Sequence, residues 1–239
     1  MPAAPILLVK LRGIGDSVLS LPSLGALQRL FPGAPIDVLV PSASLGVFSA
    51  ERRVRRVMAY PRGSLRAQIA QLFELRQQGY GLVFCPHASL RSAIIAVVSG
   101  APRRSVRNHS GRDWFSNVAC VTPKEPKSIV EREFDPLRAL GWRGNPPPIR
   151  MALGATGKAW AKAWCKRQPR LRQAILIAPG GSVPERRWPL ERFVDLSRRL
   201  LKQGRSVIWL QAPGEAEAPA LKGLLQAQPP DVQALGALS

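Results

Sequence analysis

The sequence has few of the residues that build metal centres and disulfide frameworks. Its 239 residues include three cysteines, Cys85, Cys120 and Cys165, and two histidines. An odd number of widely spaced cysteines, with so few histidines, excludes a usual zinc site and favours reduced, mostly buried thiols.

Long apolar runs are also missing. No run approaches the roughly 20 residues that a membrane-spanning helix needs. The N-terminus has no basic region before its first apolar stretch and no signal-peptide cleavage pattern after it, so we expect a cytoplasmic protein. The apolar fraction of 46% is nevertheless ample for a packed core.

Acidic residues are scarce: 15 Asp and Glu face 35 Lys and Arg, for a net charge of +20 that is spread over both halves. Such a surface attracts polyanions, which include nucleic acid, anionic lipid headgroups and phosphorylated glycans. Solvated arginines without any partner are the alternative. Charge alone does not choose among these.

The first half alternates apolar runs with amphipathic stretches. The runs "APILLVKL", "PIDVLVP" and "YGLVFCPH" predict strands, the first and third of them buried on both faces. Helical periodicity predicts a helix from Asp16 to a stop at Pro32-Gly33, with Asp16 as a candidate N-cap. Two further helices are expected in "SLRAQIAQLFELRQQGY", with Leu65, Ile69, Leu72 and Leu75 on one face, and in "SLRSAIIAVVSGAP". This alternation predicts a doubly wound α/β domain with a parallel sheet.

The same pattern restarts in the second half. Residues 101–128 are basic and irregular, which predicts an exposed loop region before a short helix in "SIVEREFDPLRALGW". A Pro- and Gly-rich stretch then marks a domain boundary. We therefore divide the chain into an N-terminal domain (1–150), a connecting helix (151–170) and a partial C-terminal domain (171–239). In this last segment "QAILIAPGG" predicts a buried strand, followed by a helix in "PLERFVDLSRRLLKQG", a strand in "RSVIWLQAPGE" and a helix in "EAPALKGLLQAQ".

The glycine turn after the first strand reads Gly13-Ile14-Gly15-Asp16. A dinucleotide fingerprint needs a third glycine where Val18 stands, and no Gly-Lys-Ser/Thr follows, so neither that fingerprint nor a P-loop is present. What remains is a turn that puts a carboxylate at the carboxyl end of a strand, where open α/β sheets bind ligands. A simple helix N-cap is the alternative for Asp16.

A second glycine turn, "APGGSVPERRWPLERF", follows the strand of the second half. Gly180, Gly181 and Ser182 would present backbone N–H groups at a helix N-terminus, which suits phosphate. Arg186 and Arg187 add guanidinium donors for the same charge. The alternative is a solvated turn.

A third turn, "QAPGE", places Glu215 after the next strand. There its carboxylate could accept hydrogen bonds from ribose hydroxyls, or it could cap the last helix.

The two longer stretches together resemble a known family. "ILLVKLRGIGDSVLSLPSLGALQRLFPGAPIDVLV" resembles the N-terminal signature of glycosyltransferase family 9, the bacterial lipopolysaccharide heptosyltransferases. "ILIAPGGSVPERRWPLERFVDLSRRLLKQGRSVIWLQAPGE" resembles the start of that family's donor-binding half. The resemblance implies a GT-B fold, with two Rossmann-like domains facing across a cleft, and a sugar transfer that needs no metal and no resident cofactor.

The resemblance also implies roles for the residues that match. Asp16 matches the aspartate proposed in the family as the base that deprotonates the acceptor hydroxyl. Lys10, with Gly13 and Gly15 of the turn, would lie near the acceptor and the phosphates.

On the donor side, Gly180, Gly181 and Ser182 belong to the matching turn. Arg186 and Arg187 match a basic pair that binds the donor phosphates, with Arg186 in the place of a lysine. Arginine keeps the charge of lysine but has a wider shape. Glu215 matches a glutamate on the ribose of the nucleotide.

One family motif has no counterpart. Family members continue to an Asp/Asn-Ser/Thr-Gly-Pro-x-His segment that contacts the donor diphosphate, and neither His87 nor His109 matches its position. Residues 171–239 are also short for a whole domain. We therefore expect a chain truncated within its second domain, with a sheet of about three strands.

The expected function is transfer of a heptose or related sugar from ADP-heptose to the lipopolysaccharide inner core. The expected partners are this nucleotide-sugar and a lipid A-core acceptor, met at the inner face of the inner membrane. The alternative is a non-catalytic remnant that binds anionic glycolipid. A nucleic-acid-binding protein is disfavoured because the basic residues are dispersed and no recognisable motif accompanies them.

Overall fold

A computed structural model describes residues 3–87, 89–107, 115–120, 127–171, 173–180, 185, 187–210 and 233–235. The chain divides into two compact units, Met1–Gly154 and Ala155–Ser239. None of the helices in the described ranges is long and apolar enough to cross a membrane.

The first unit is built on a five-stranded parallel sheet in the order β3-β2-β1-β4-β5. β1 lies in the middle, where Leu8 pairs with Val38 on one side and with Phe84 on the other. This central place requires apolar side chains on both faces, which is why the first apolar run is nearly continuous. The strands are β1 (Ile6–Val9), β2 (Ile36–Val40), β3 (Arg56–Ala59), β4 (Leu82–Cys85) and β5 (Arg103–Val106).

Helices cover both faces of this sheet. They are α1 (Ile14–Leu19), α2 (Leu21–Leu30), α3 (Leu45–Phe48), α4 (Leu65–Gln77), α5 (Leu90–Val98) and α6 (Ile129–Ala139). Leu24 of α2 and Phe134 of α6 belong to a core with Ile6 and Leu8. On the other face, Leu75 of α4 and Ile95 of α5 pack with Leu7, Val9 and Val83. The α/β prediction is confirmed.

The helix predicted from Asp16 is two helices instead. Ser20 separates α1 from α2, and its hydroxyl donates to the Ser17 carbonyl at 2.7 Å. Pro22 lies in the first turn of α2; it has no N–H to donate to the preceding turn, and its ring crowds that turn. The N-cap prediction for Asp16 is also wrong, because Gly13 is the N-cap and Asp16 lies within the first turn of α1.

The prediction of an exposed loop over residues 101–128 is wrong for Arg103–Val106, which form the edge strand β5. Ser105 and Val106 are buried, whereas Arg103 is exposed. A four-residue strand that begins with two arginines shows no apolar alternation, so the sequence pattern gave no strand signal.

The inward face predicted for α4 is only partly buried. Leu75 is fully buried, but Leu65 is 72% exposed and Ile69 is 46% exposed. The sheet contacts the side of α4 that carries Leu75, so the rest of this apolar stripe turns towards solvent. Leu72 is half-buried against the core.

The second unit contains a three-stranded parallel sheet in the order β6-β7-β8. Trp209 is its largest buried side chain, and its indole N–H donates to Ser197 Oγ at 2.9 Å. Ile177, Val194 and Val207 complete this small core. The elements are α7 (Ala155–Arg167), β6 (Ile175–Ile177), α8 (Leu190–Lys202), β7 (Val207–Leu210) and β8 (Gln233–Leu235).

For this unit, one prediction is wrong and another concerns residues outside the described ranges. β6 is not a buried strand, since Ile175 and Leu176 are exposed and only Ile177 is buried. It lies at an edge of the described sheet, where packing on both faces is incomplete. The helix predicted in "EAPALKGLLQAQ" lies outside the described residues.

A buried carboxylate ties three elements of the first unit together. Asp37 of β2 is fully buried and accepts two hydrogen bonds from Arg55, at 2.8 and 2.7 Å. The Tyr80 hydroxyl donates to it at 2.8 Å, and Arg56 Nη2 lies 3.6 Å away. Burial, and next the hydrogen bond to Asp37, raises the pKa of Tyr80 well above its ordinary value.

Asp37→Ala should therefore lower the free energy of unfolding by about 3–5 kcal/mol, because it leaves buried partners without their acceptor. Glu74→Ala is the matched control: Glu74 also pairs with Arg56, at 3.0 Å, but its side chain is half exposed, so we expect a loss below about 1 kcal/mol. Urea unfolding of both variants provides the measurement. Equal losses of unfolding free energy in the two variants would contradict the stabilising role of the buried Asp37 network.

Candidate functional site

The candidate site begins where β1 ends. The backbone N–H of Lys10 still donates to the Leu39 carbonyl at 2.9 Å, which extends the ladder by one residue. The chain then turns at Gly13, the N-cap of α1, and Gly15 lies in the first turn of that helix. A Cβ built on either glycine would meet nothing within 4 Å. Packing within the described chain therefore does not require these glycines, and the backbone here is open to a ligand.

Asp16 lies within the first turn of α1, at this same edge. Its side chain is 35% exposed, so the carboxylate is reachable from solvent. One of its oxygens, Oδ1, lies 3.9 Å from Lys10 Nζ. An accessible carboxylate beside a fixed positive charge can accept a proton from a bound hydroxyl group.

Lys10 is more deeply buried than its place in a turn would suggest. Its side chain is 1% exposed and its ammonium donates a hydrogen bond to Glu133 Oε1 on α6. Burial raises the pKa of Glu133, and the Lys10 charge opposes that shift without cancelling it. The ammonium is therefore held between a buried carboxylate, Glu133, and an accessible one, Asp16.

Two further charged or polar side chains follow the neighbouring strands. His87 comes after β4 and is buried, and Arg107 comes after β5, with its backbone N–H donating to the Cys85 carbonyl at 3.0 Å. Burial, and next the positive charges of Lys10, Arg12 and Arg107, lowers the pKa of His87 to about 3. The imidazole of His87 is therefore neutral at ordinary pH, although cations surround it.

The second half of α6 adds another carboxylate. Asp135 is buried and pairs with Lys127 at 2.8 Å and with Arg138 at 3.1 Å. Three carboxylates of this part of the domain, Asp16, Glu133 and Asp135, thus each lie within 4 Å of at least one cation.

Four buried polar atoms here have no hydrogen-bond partner among the described residues. They are Nδ1 of His87, Nε of Arg107, Oε2 of Glu133 and Oδ2 of Asp135. Buried polar groups are nearly always satisfied in folded proteins, so a group of exceptions calls for an explanation. One of the four, Glu133 Oε2, belongs to the carboxylate that binds Lys10, the lysine beside Asp16. A ligand or water can complete the site at this point.

Sequence reasoning missed Glu133, Asp135, Arg107 and His87. For His87 a signal existed, since it directly follows a predicted buried strand, and such positions share one edge of a parallel sheet. Arg107 had none, because β5 was not recognised. Glu133 and Asp135 lie on a helix whose docking place no local pattern specifies.

Only part of the predicted donor loop lies within the described residues. Gly180 is exposed shortly after β6, and Arg187 is exposed just before α8, whose N-cap is Pro189. Trp188 packs edge-on against Phe193, with ring centroids 4.9 Å apart. Gly181, Ser182, Arg186 and Glu215, which we predicted to bind the donor, lie outside the described residues, as does His109.

A search of the described ranges for metal ligands finds no group of three or more His, Cys, Asp or Glu side chains placed to hold an ion. Lys10, Arg12 and Arg107 are the cations whose charges act on the His87 imidazole.

Comparison with known proteins gives one family. The model of glycosyltransferase family 9 (heptosyltransferase) matches residues 69–239. Lipopolysaccharide heptosyltransferase 2 of Escherichia coli (strain K12) is 24% identical over 235 residues, which covers 89% of this chain and 65% of the relative. The same enzyme of Salmonella typhimurium (strain LT2) is 23% identical over 225 residues, with the same shares. The chain thus spans 65% of the length of these curated relatives.

Solved structures give the same fold. A glycosyltransferase family 9 protein from Veillonella parvula DSM 2008 superposes with a TM-score of 0.82 at 17% identity, covering 99% of this chain and 70% of that one. E. coli ADP-heptose lipopolysaccharide heptosyltransferase II gives 0.75 at 21% identity, covering 97% and 72%. E. coli heptosyltransferase WaaC with ADP gives 0.72 at 18% identity, covering 98% and 75%. The predicted GT-B-like fold with a partial second domain is confirmed.

Glu133→Gln should lower the free energy of unfolding by about 3–5 kcal/mol, because it leaves a buried ammonium without its closest counter-charge. Adding Lys10→Met should restore a large part of this loss, since the unpaired charge is then gone. Urea unfolding of the two single variants and the double variant measures this coupling. Strictly additive effects would contradict the pairing.

A matched control lies on the same helix. Glu131 pairs with Arg138 at 2.7 Å, and both side chains are about one-third exposed. Glu131→Gln should cost less than about 1 kcal/mol.

His87 should also make the stability depend on pH. Its pKa in the folded protein, about 3, is below the ordinary value, so the unfolded chain binds a proton that the folded one does not. The free energy of unfolding should fall as the pH drops from about 6.5 towards 3, by up to about 1.4 kcal/mol per pH unit from this group. His87→Gln should flatten that slope in urea titrations at several pH values. A variant as pH-dependent as the parent would exclude His87 as the cause.

Proposed function

The chain belongs to glycosyltransferase family 9, the heptosyltransferases, and on that premise we propose that it transfers a heptose or a related sugar from an ADP-activated donor to the inner core of lipopolysaccharide. The observation that carries the proposal is Asp16: an accessible carboxylate at the carboxyl edge of the first sheet, beside the buried ammonium of Lys10. Two structures of one relative, E. coli heptosyltransferase WaaC, contain ADP and ADP-2-deoxy-2-fluoro heptose, which supports this class of donor.

In the proposed reaction Asp16 takes the proton of the acceptor hydroxyl while that oxygen attacks the anomeric carbon of the donor. A new glycosidic bond forms, and the bond from the anomeric carbon to the diphosphate breaks, with its electrons leaving on ADP. Lys10 holds positive charge close to Asp16 and is itself fixed by Glu133. Because Glu133 already holds the Lys10 ammonium in place, the site does not have to reorganise to bring this charge to the reacting groups.

The donor phosphates are assigned to the second glycine turn. The backbone N–H groups of Gly180, Gly181 and Ser182 would face the diphosphate, and Arg186 and Arg187 would balance the charge that develops on it. In this proposal the cationic side chains, and neither a metal nor a resident cofactor, stabilise the leaving group.

Two further assignments complete the site. Glu215 would accept hydrogen bonds from the ribose hydroxyls. Gly13 and Gly15, whose surroundings are open, would let the acceptor approach the backbone beside Asp16.

The acceptor is proposed to be an anionic lipid A-core molecule in the inner leaflet of the inner membrane. The net charge of +20 complements both its phosphates and the lipid headgroups around it. We accordingly propose a cytoplasmic protein that associates peripherally with that membrane and binds no specific nucleic acid.

A second candidate function is binding of the same glycolipid without transfer. The sequence contains no Asp/Asn-Ser/Thr-Gly-Pro-x-His motif, and the chain spans 65% of its curated relatives. Donor contacts that this motif would make are therefore not supplied by these 239 residues. In this case the protein would bind acceptor analogues but not ADP-heptose.

Asp16→Asn should lower the rate of transfer by about 10²–10⁴-fold, because the amide cannot accept the hydroxyl proton. Affinity for a delipidated, heptose-deficient core oligosaccharide should stay within a few-fold. ADP release from ADP-heptose in the presence of this acceptor gives the rate, and calorimetry gives the affinity.

Asp195→Asn serves as the matched control, since Asp195 is exposed on α8 and should leave the rate unchanged. Full activity of Asp16→Asn would exclude Asp16 as the base. Acceptor binding by the parent protein without any donor binding or ADP release would favour the second candidate.

A further inference from the structure

Two neighbouring helices of the first unit turn apolar side chains towards solvent. On α4, Leu65, Ile69 and Phe73 follow one another at four-residue spacing and are 72%, 46% and 64% exposed. That spacing puts them on a single face of the helix. On a folded domain, adjacent exposed apolar residues of this size mark an interaction surface rather than chance exposure.

The neighbouring helix α5 repeats the arrangement. Leu90, Ile94 and Val97 are 54%, 42% and 41% exposed, at spacings of four and three residues. We call the six exposed side chains of the two helices the apolar patch.

A groove of about 380 Å³ runs between α4 and α5 and joins the two halves of the patch. Its apolar lining includes Leu65, Ile69, Leu72, Leu90 and Ile94. A continuous apolar face with a shallow groove can take up the acyl region of a lipid as well as a protein side chain, so the occupant has to be decided by charge.

The charged residues around the patch are almost all positive. Residues 60–100 contain four arginines and a single acidic residue, Glu74. Arg66 lies three residues before Ile69 and seven before Phe73, on the same side of α4, and Arg62 lies just before the helix. Arg91 of α5 lies over the Tyr60 ring, 5.5 Å from its centroid, at the rim of the groove.

Even the one acidic residue is already paired. Glu74 forms an ion pair with Arg56 at 3.0 Å. The rim of the patch therefore carries positive charge with no free counter-charge on the two helices.

We propose that the apolar patch and its arginine rim form a docking surface for an anionic phospholipid bilayer. Amphipathic helices with large apolar residues on one face and Arg or Lys beside them lie at the boundary between headgroups and acyl chains. Each arginine near an anionic bilayer contributes about 1 kcal/mol of attraction. A second copy of this chain fits less well, because its charge of +20 and its own arginine rim would repel the first.

The position of the patch relates this surface to the candidate site. α4 follows β3 and α5 follows β4, so both helices begin at the carboxyl edge of the sheet, where Asp16 also lies. Docking by this surface would bring that edge close to the headgroups. This link between docking and the site rests on the proposed function, in which the acceptor is anchored in a membrane and the domain has to reach it there.

The direct test is co-sedimentation with vesicles of phosphatidylethanolamine and phosphatidylglycerol. The double variant Ile69→Asp/Phe73→Asp should bind these vesicles at least about tenfold more weakly, because it removes two apolar side chains from the patch and adds two negative charges. The control Ile149→Asp/Met151→Asp adds the same charges at two other exposed apolar positions of this unit, which are 43% and 46% exposed. It should bind like the parent.

A second variant tests the rim separately. Arg62→Gln/Arg66→Gln should weaken binding to the anionic vesicles by about tenfold or more, at about 1 kcal/mol per charge, and should leave binding to pure phosphatidylcholine vesicles unchanged. Arg198→Gln, at an exposed arginine of α8, is its control. Hydrogen exchange gives an independent reading on the unmodified protein: vesicles should protect residues 65–77 and 90–98.

Three results would overturn the proposal. The first is unchanged binding by the Ile69→Asp/Phe73→Asp variant. The second is binding that is lost instead on Trp160→Ala/Trp164→Ala, which would point to the stacked tryptophans of α7. The third is a dimer of the parent protein that Ile69→Asp/Phe73→Asp dissociates, which would identify the patch as a contact between copies.

A soluble acceptor separates this inference from the proposed function. Transfer to the delipidated core oligosaccharide should be equal for the parent and the Ile69→Asp/Phe73→Asp variant. If transfer occurs and vesicles do not bind, the docking surface is wrong and the proposed function stands. If vesicles bind through the patch and no transfer occurs, the proposed function fails and the docking surface stands.

Discussion

The buried ammonium of Lys10 is the constraint on which the candidate site depends. A lysine side chain that is 1% exposed is tolerable only if counter-charges lie close to it, and Glu133 and Asp16 provide them. Glu133 must be brought from α6, more than a hundred residues further along the chain. The site therefore exists only when α6 is packed on the sheet through Phe134 and Leu137, so that folding of the core and assembly of the site are one event.

The strand order explains why so many polar groups meet here. With β1 in the centre and β4 and β5 on one side of it, the residues after these three strands lie along one edge. Lys10, His87 and Arg107 are those residues, and α1 adds Asp16. The opposite edge is used differently: there Asp37 is saturated by Arg55 and Tyr80. The amino edge thus stabilises the sheet with a fully paired carboxylate, Asp37, whereas the carboxyl edge retains an accessible carboxylate, Asp16, and buried polar atoms without partners among the described residues.

The positive charge and the exposed apolar residues have a common interpretation. Arginines dispersed over the sequence do not indicate nucleic acid, but beside the exposed leucines, isoleucines and phenylalanine of α4 and α5 they form an amphipathic surface. This surface and Asp16 belong to the same domain, and α4, α5 and α1 all begin at the carboxyl edge of its sheet.

The sequence by itself determined the alternation of strands and helices, the glycine turns and the family, because each of these is written in local periodicity or in a contiguous motif. It also placed Asp16 at the end of a strand. It did not determine the break at Ser20, the strand β5, the exposed side of α4 or the partners of Lys10. Those depend on which side of an element meets the sheet and on which distant helix docks beside a turn. Only the tertiary structure brought Glu133 to Lys10, because a pair separated by 123 residues leaves no local pattern and is decided by packing alone.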